Sequence, residues 1–396
     1  MPALNIGAAG HETAAMPALR LVEGLPRGDP AGDLGGDPAG ARDAASVLFA
    51  TLAWFRLIAQ TALPATSKAV HLLREGSSGA TACLPFILDS RGGPRRIEAL
   101  SNFYSPVFEP AANAAEVPGL TADFARFAAR SGVDVVDLHP LDVDSPFFTE
   151  AKRALGAAGY WVDSYFCFGN WYLEVAGRSF DEYFSTLTSN IRKNAARRER
   201  KLEAQGLQIR ILTGRSPELE QAIRDFEAVY GLSWRNKAEP YPQFVPELCR
   251  MAADHGWLRL GVLSLAGNVV AAQIWLIKDG TASIFKLAYI EEYAKLAAGT
   301  VLTTALMRQA IDVDRVSIVD YLSGDDAYKK DWMSHRRERH GIVAFNRRRW
   351  RGIVAALRHH GGKLARAMVR QARELRRKSS PKPEQGASNI GDNPEH

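Results

Sequence analysis

Apolar residues begin to recur at helical spacing at Ala45, and Ser46-Val-Leu-Phe-Ala-Thr-Leu-Ala-Trp-Phe-Arg-Leu-Ile predicts a buried helix. Two strand-like runs follow, Ala80 to Asp89 and Arg95 to Leu100, joined by Ser90-Arg-Gly-Gly-Pro, which is hairpin chemistry. Ser101 to Pro110 mixes aromatics with prolines and reads as an irregular loop. A helix near Leu120 to Ser131, a short buried strand from Val133 to Leu138, a helix from Phe147 to Ala158 and a strand from Trp171 to Val175 complete the first half.

Ser179-Phe-Asp-Glu182 has the form of a capping box, in which serine and glutamate satisfy the free amides of a helix start. The helix it opens is expected to run from Phe180 to about Gln205 and to stop at Gly206. In the second half, Ser216 to Trp234 and Pro242 to His255 read as helices. Three strands come next, Trp257 to Ser264, Val269 to Ile277 and Thr281 to Tyr289, with tight-turn residues at Leu265-Ala-Gly-Asn and Lys278-Asp-Gly. A loop ending at Gly299, a helix from Thr300 to Ile311, a strand from Arg315 to Tyr321 and a closing strand from Gly341 to Asn346 follow. The fold class is therefore α/β, with a mixed, mainly antiparallel central sheet flanked by helices. The shared order of helix, hairpin, helix and strand suggests a diverged duplication into two lobes.

The expected divisions are a disordered leader over 1–44, an N-terminal lobe over 45–185, a basic connecting helix over 186–206, a C-terminal lobe over 207–346, and a basic amphipathic helix with a disordered tail over 347–396. The leader is rich in Gly, Ala, Pro and Asp and has no apolar period. The connecting helix carries Arg192, Lys193, Arg197, Arg198, Arg200 and Lys201, either as a solvated face or as a contact for an anionic cofactor, substrate or partner. The C-terminal segment places Trp350, Ile353, Val354 and Leu357 on one face among arginines. It would lie on an anionic membrane surface, bind nucleic acid, or pack on its own domain.

The chain has 396 residues, enough for two domains, with 46% hydrophobic and 24% charged residues and a net charge of +6. No apolar run reaches the roughly 18 residues of a membrane span, and the start lacks the pattern of a secretory signal. Cys83, Cys167 and Cys249 are far apart and in no C-x-x-C pair, which fits a cytoplasmic protein without a disulfide framework or zinc site. No metal is expected. G-x-x-x-x-G-K-[ST], G-x-S-x-G and H-E-x-x-H are all absent, which argues against phosphate-loop NTPases, serine hydrolases and zincins.

The loop before Thr300 is the best anion candidate. A chain that leaves a strand, turns at small residues and enters a helix presents free amides and a positive dipole end. Ala297, Ala298 and Gly299 would let backbone approach a ligand closely, and Lys295 adds charge. A plain helix start with a Thr cap is the alternative. Acceptor-side candidates are Arg192, the Trp234-Arg235 pair before Pro240-Tyr-Pro, and Gln273, an amide in an otherwise apolar strand whose burial would require a partner.

Three features occur together: Ser189-x-x-Arg192 with the basic run through Lys201, the stretch Phe285 to Thr300, and Asp320-x-x-x-Gly324-x-x-x-Tyr328-Lys329-x-x-Trp332. With the order of elements, they resemble the acyl-CoA N-acyltransferase (GNAT) superfamily, in its two-lobed FemAB-like branch. That branch includes CelD-type proteins linked to bacterial cellulose and exopolysaccharide synthesis. The resemblance covers about residues 45 to 346. The superfamily's pyrophosphate loop is usually Q/R-x-x-G-x-G/A, and Tyr293 to Gly299 keeps only the final glycine.

The resemblance implies acyl-CoA, such as acetyl-CoA, as donor and an amine on a small molecule or glycan precursor as acceptor. The thioester carbonyl would lie along Ile284 to Tyr289, with an amide near Leu287 or Tyr289 facing the oxyanion. The implied roles are Asp320 as base, Tyr328 as acid and Lys329 as a charge stabiliser, each with a structural alternative. Two other readings stay open: aminoacyl-tRNA as donor, with the basic helix touching RNA, and a non-catalytic accessory protein docked at the inner membrane face.

Overall fold

The computed structural model describes residues 19–23, 46–64, 66–75, 81–89, 93–233 and 239–362. Its first half contains β1 (Leu19–Glu23), α1 (Ser46–Phe49), α2 (Leu52–Thr61), β2 (Ala69–Glu75), β3 (Thr81–Asp89), β4 (Arg96–Ala99), α3 (Val117–Arg130), β5 (Val135–Asp142), α4 (Pro146–Ala157) and β6 (Tyr160–Glu174). Next come α5 (Phe180–Thr186), α6 (Ser189–Glu203), β7 (Leu207–Leu212), α7 (Leu219–Gly231), α8 (Phe244–Asp254), β8 (Leu258–Leu265), β9 (Asn268–Lys278) and β10 (Thr281–Tyr289). The last elements are α9 (Ala298–Arg308), β11 (Ile318–Asp320), β12 (His335–Asn346) and a helix over 350–362, α10.

All twelve strands join one sheet in the order β1-β2-β3-β4-β5-β12-β6-β11-β10-β9-β8-β7. The expected hairpin is β3–β4 and the expected meander is β8–β9–β10, both antiparallel. Among the described residues, only β4–β5 and β10–β11 pair parallel. The mixed, mainly antiparallel α/β class read from the sequence is the class observed. A larger core, holding α2, α3, α4, α7 and α8, lines one face of the sheet through both halves. A second core lies on the opposite face under α5, α6 and α9. β9 is covered on both sides, and its centre, Val270 to Leu276, is buried throughout.

Several expectations change. The leader expected to be disordered includes β1, which pairs antiparallel with β2 on the sheet edge. The single helix from Phe180 to Gln205 is two. The capping box at Ser179 and Glu182 opens α5, the chain turns extended at Leu187, and the Thr188 hydroxyl caps α6. β12 does not close the second half. It runs between β5 and β6, pairing antiparallel with both, so the last described strand lies within the first half of the sheet. α9 is followed by a wide helical turn over Gln309–Val313 before β11.

Candidate active site

β10 and β11 pair through only three residues, Thr281 with Ile318, Ala282 with Val319 and Ser283 with Asp320. β11 ends there, while β10 continues to Tyr289 against β9 alone, with a register shift between Ile284 and Lys286. The two parallel strands therefore separate and open a gap beside the second half of β10. The Ile290 amide donates to the Val270 carbonyl at 2.9 Å. Donors alternate sides along an antiparallel ladder, and Leu287 and Tyr289 pair with Gln273 and Ala271. The Leu287 and Tyr289 amides thus face the gap.

α9 begins beside this gap. Ala297 takes a left-handed backbone (φ 53°, ψ 40°) and turns the chain from a short helical turn, Glu291–Leu296, into α9. The Thr300 and Val301 amides bond back to the Ala297 carbonyl at 2.9 and 3.2 Å. Val301, Leu302 and Leu306 anchor the helix in the core. Lys295 is exposed, Gly299 and Thr300 are half-buried, and Ala298 is buried. Ala298, expected to face a ligand, instead packs inside, because it is the first residue of the helix to meet the apolar layer. Gly299 faces the Tyr289 ring, and a Cβ there would lie 3.2 Å from a ring carbon.

Gln273 is wholly buried and does not face an acceptor cleft. Its Nε2 donates to the Gly299 carbonyl and the Thr303 hydroxyl, both at 2.9 Å, and its Oε1 accepts from the Trp275 indole at 3.0 Å. The partner its burial required is the first turn of α9. Arg192 is exposed in the first turn of α6 and donates to the Leu187 carbonyl at 3.1 Å. Trp234 and Arg235 lie outside the described residues.

The loop after β11 departs from the roles the resemblance implies. The Asp320 carboxylate is fully buried. It accepts from Asn170 Nδ2 at 2.7 Å and the Leu322 amide at 2.6 Å, and it pairs with Arg337. Both oxygens are engaged, so Asp320 is a tie between β11, β6 and β12 rather than an open base. Lys329 is also buried. Its ammonium donates to the carbonyls of Ser323 at 2.6 Å and Gly324 at 3.3 Å and lies 3.5 Å from Asp326. That clasp closes the loop on itself and withdraws Lys329 from a substrate. Tyr328, beside it, is accessible and meets Tyr321 edge-on at 5.8 Å. Trp332 lies in the core.

Opposite α9, on the α7 face of β10, lies a charged cluster the sequence did not single out. The Lys286 ammonium pairs with Glu239, and Tyr104 donates its hydroxyl to the same carboxylate. The ammonium lies 4.4 Å from the centre of the Tyr230 ring and 5.4 Å from that of Tyr104. Tyr104 stacks on Phe244 at 3.9 Å. Burial pushes the Glu239 carboxyl up, but Lys286 and the Tyr104 hydroxyl outweigh it and hold the group below the usual carboxylate range. Burial first, then Glu239, pushes the Tyr104 phenol well up. Tyr104 comes from the irregular loop of the first half and the other three from the second, so the cluster bridges the halves.

A cavity of about 470 Å³ lies away from both places, lined by Arg96, Asp137, Tyr165 and His359, and none of the expected site residues lines it. Asp163, His359 and His360 bring ligand atoms within 4.8 Å of one another. His359 there already bonds Asp163 at 2.9 Å.

Residues 189–330 match the family model described as an acetyltransferase (GNAT) domain. This segment is similar to a GNAT acyltransferase domain. The match spans α6, the separating strands, α9 and the clasped loop after β11, so the opened gap lies within the matched segment. FemX shares the fold, with a TM-score of 0.52 and 11% identity over 74% of this chain and 91% of that one. L-PGS from Bacillus licheniformis gives 0.47 and 12% over 80% and 95%. A tandem GNAT protein from the clavulanic acid biosynthesis pathway gives 0.42 and 12% over 83% and 98%. No curated protein matches. No helix among the described residues is long and apolar enough to cross a membrane.

Proposed function

We propose that the protein transfers an acyl group from acyl-CoA to an amine, with donor and acceptor meeting in the gap between β10 and β11. The observation that carries this is the separation of the strands after Ser283 and Asp320, with the Leu287 and Tyr289 amides turned into the gap. The positive end of α9 lies beside it and suits the donor's phosphates. The amine nitrogen attacks the thioester carbonyl carbon, the oxyanion takes a backbone amide, and the carbon–sulfur bond breaks to release CoA thiolate.

The acceptor enters from the α7 face. Glu239, held ionised, attracts the acceptor's ammonium and takes the proton that the attacking amine loses. Glu239 replaces Asp320 as the candidate base because it is partly exposed where Asp320 is fully buried; Lys286 and Tyr104 occupy its two oxygens, and one of them must give way to the acceptor. Tyr328, accessible beside the loop, is the candidate acid for the thiolate.

A thermal-shift titration tests the reading. Acetyl-CoA at about a hundred times its Kd would stabilise the fold by about 2.7 kcal/mol. The reading is lost if no acyl-CoA from acetyl to palmitoyl raises Tm. A second reading, aminoacyl-tRNA as donor, draws on the exposed cations of α6, which packs against α9. It requires tRNA binding that weakens steeply with salt.

A further inference from the structure

α10 is an amphipathic helix whose outward side is the wrong way round for a surface helix. Its inward side packs Ala356 on Phe345, Val343 and Val135. Gly352 sits so tightly that a Cβ would lie 2.4 Å from the Asn346 carbonyl oxygen. The helix is therefore fixed to the sheet by small residues. At roughly 100° per residue, Trp350, Val354 and Leu357 fall on the side opposite Gly352 and Ala356. Trp350 is 70% exposed and Leu357 is 68% exposed. A helix packed on its own domain turns its polar residues outward; α10 turns out an indole and a leucine.

Cations border this stripe. Arg347, Arg348, Arg351 and Arg358 are exposed, and the Arg351 guanidinium lies 5.4 Å from the Trp350 ring centre. The sequence continues with Lys363, Arg366, Arg370, Arg373, Arg376, Arg377 and Lys378. We infer that α10 docks the protein on an anionic phospholipid surface, with Trp350, Val354 and Leu357 in the headgroup boundary and the arginines on lipid phosphates. A nucleic acid would satisfy the arginines and leave the leucine in water. A bilayer takes both the charge and the apolar stripe. The tight seat of Gly352 and Ala356 presents the stripe as part of a rigid body, so docking costs no helix folding.

Flotation of the full-length protein with phosphatidylcholine vesicles, with and without about a third phosphatidylglycerol, tests this. The protein floats with the anionic vesicles only, and salt weakens the association. Trp350→Ser with Leu357→Ser reduces partitioning about tenfold or more, with Tm and acyl-CoA binding unchanged. The inference is overturned if the wild type stays at the bottom, or if the double variant floats equally well. It is also overturned if the double variant loses Tm without losing flotation, since the stripe would then be covered by the chain itself. Equal retention of both proteins on duplex DNA or RNA, with neither on vesicles, would overturn it in favour of nucleic acid. Acyl-CoA binding is read separately, so failure of docking leaves the proposed transfer standing.

Discussion

The side-chain amide of Gln273 donates to the Gly299 carbonyl at 2.9 Å, so the middle of β9 fixes the start of α9. The same side chain holds Thr303 and Trp275. Gln273→Leu would keep the volume but leave the indole N–H without its acceptor, while the Gly299 carbonyl keeps the Thr303 hydroxyl. The expected cost is about 1–3 kcal/mol in urea unfolding, with a smaller acyl-CoA shift of Tm. Unchanged stability would mean that the first turn of α9 holds its own position.

Glu239 and Lys286 give a pH test. The Glu239 carboxyl lies below its ordinary value in the folded protein, so it binds fewer protons there than in the unfolded chain. It therefore adds stability above the ordinary value of 4.5 that is lost as pH falls below it toward the depressed folded value. Glu239→Gln should remove that part of the acid slope in chemical denaturation, which appears as pH falls below the ordinary value of 4.5. It should lower kcat by about a hundredfold and leave the acetyl-CoA shift intact. A variant with full activity would exclude Glu239 as base.

Tyr328 and Lys329 are neighbours whose variants should behave oppositely. Tyr328→Phe removes a hydroxyl from an accessible ring and should change stability by less than about 0.5 kcal/mol. Its kcat should fall about tenfold to a hundredfold. Lys329→Met opens the clasp over Ser323 and Gly324, and should cost about 2–3 kcal/mol. Protease sensitivity of the loop, read by limited digestion, should rise only in the second variant.

Gly299 and Tyr289 should be coupled. Gly299→Ala puts a methyl 3.2 Å from the Tyr289 ring, so the ring must move by a few tenths of an ångström. Because Tyr289 also ends the strand bordering the gap, acyl-CoA affinity should fall severalfold. Tyr289→Ala in the same chain should restore part of it, giving an interaction energy of about 0.5–1 kcal/mol in a double-mutant cycle. Strict additivity would show that the ring and the helix start act independently.

The elements with strong period were legible. β8, β9 and β10 carry long apolar runs cut by tight turns, and the boundaries of α3, α4 and α8 fall within three residues of expectation. β6 was read only as Trp171 to Val175. The earlier part of that 15-residue strand carries Asp163 and Ser164, with no clean alternation to announce a strand paired on both sides. β7 alternates Leu207, Ile209 and Ile211 with polar residues, yet its six residues are easily lost between two helices. At the site, the loop–helix and the separating strand were visible because they are contiguous. The acidic and cationic members were not. Tyr104 and Lys286 stand far apart in the chain, and only the fold brings them to one carboxylate. Asp320 and Lys329 looked chemical because they are charged beside the site. Their charges are used up on Arg337 and on loop carbonyls, which no local pattern discloses.

The insertion of β12 between β5 and β6 also bears on synthesis. While the first half emerges from the ribosome, the lane β12 will occupy has no strand in it, and β5 and β6 each present an open edge. About 160 residues separate the end of β6 from the start of β12, so that lane stays open until all of residues 189–330 have been made. A chain cut before His335 would be left with two unfinished edges. The two halves should therefore be recovered soluble only when made together, and a separately supplied β12 segment should rescue a truncated chain by strand addition.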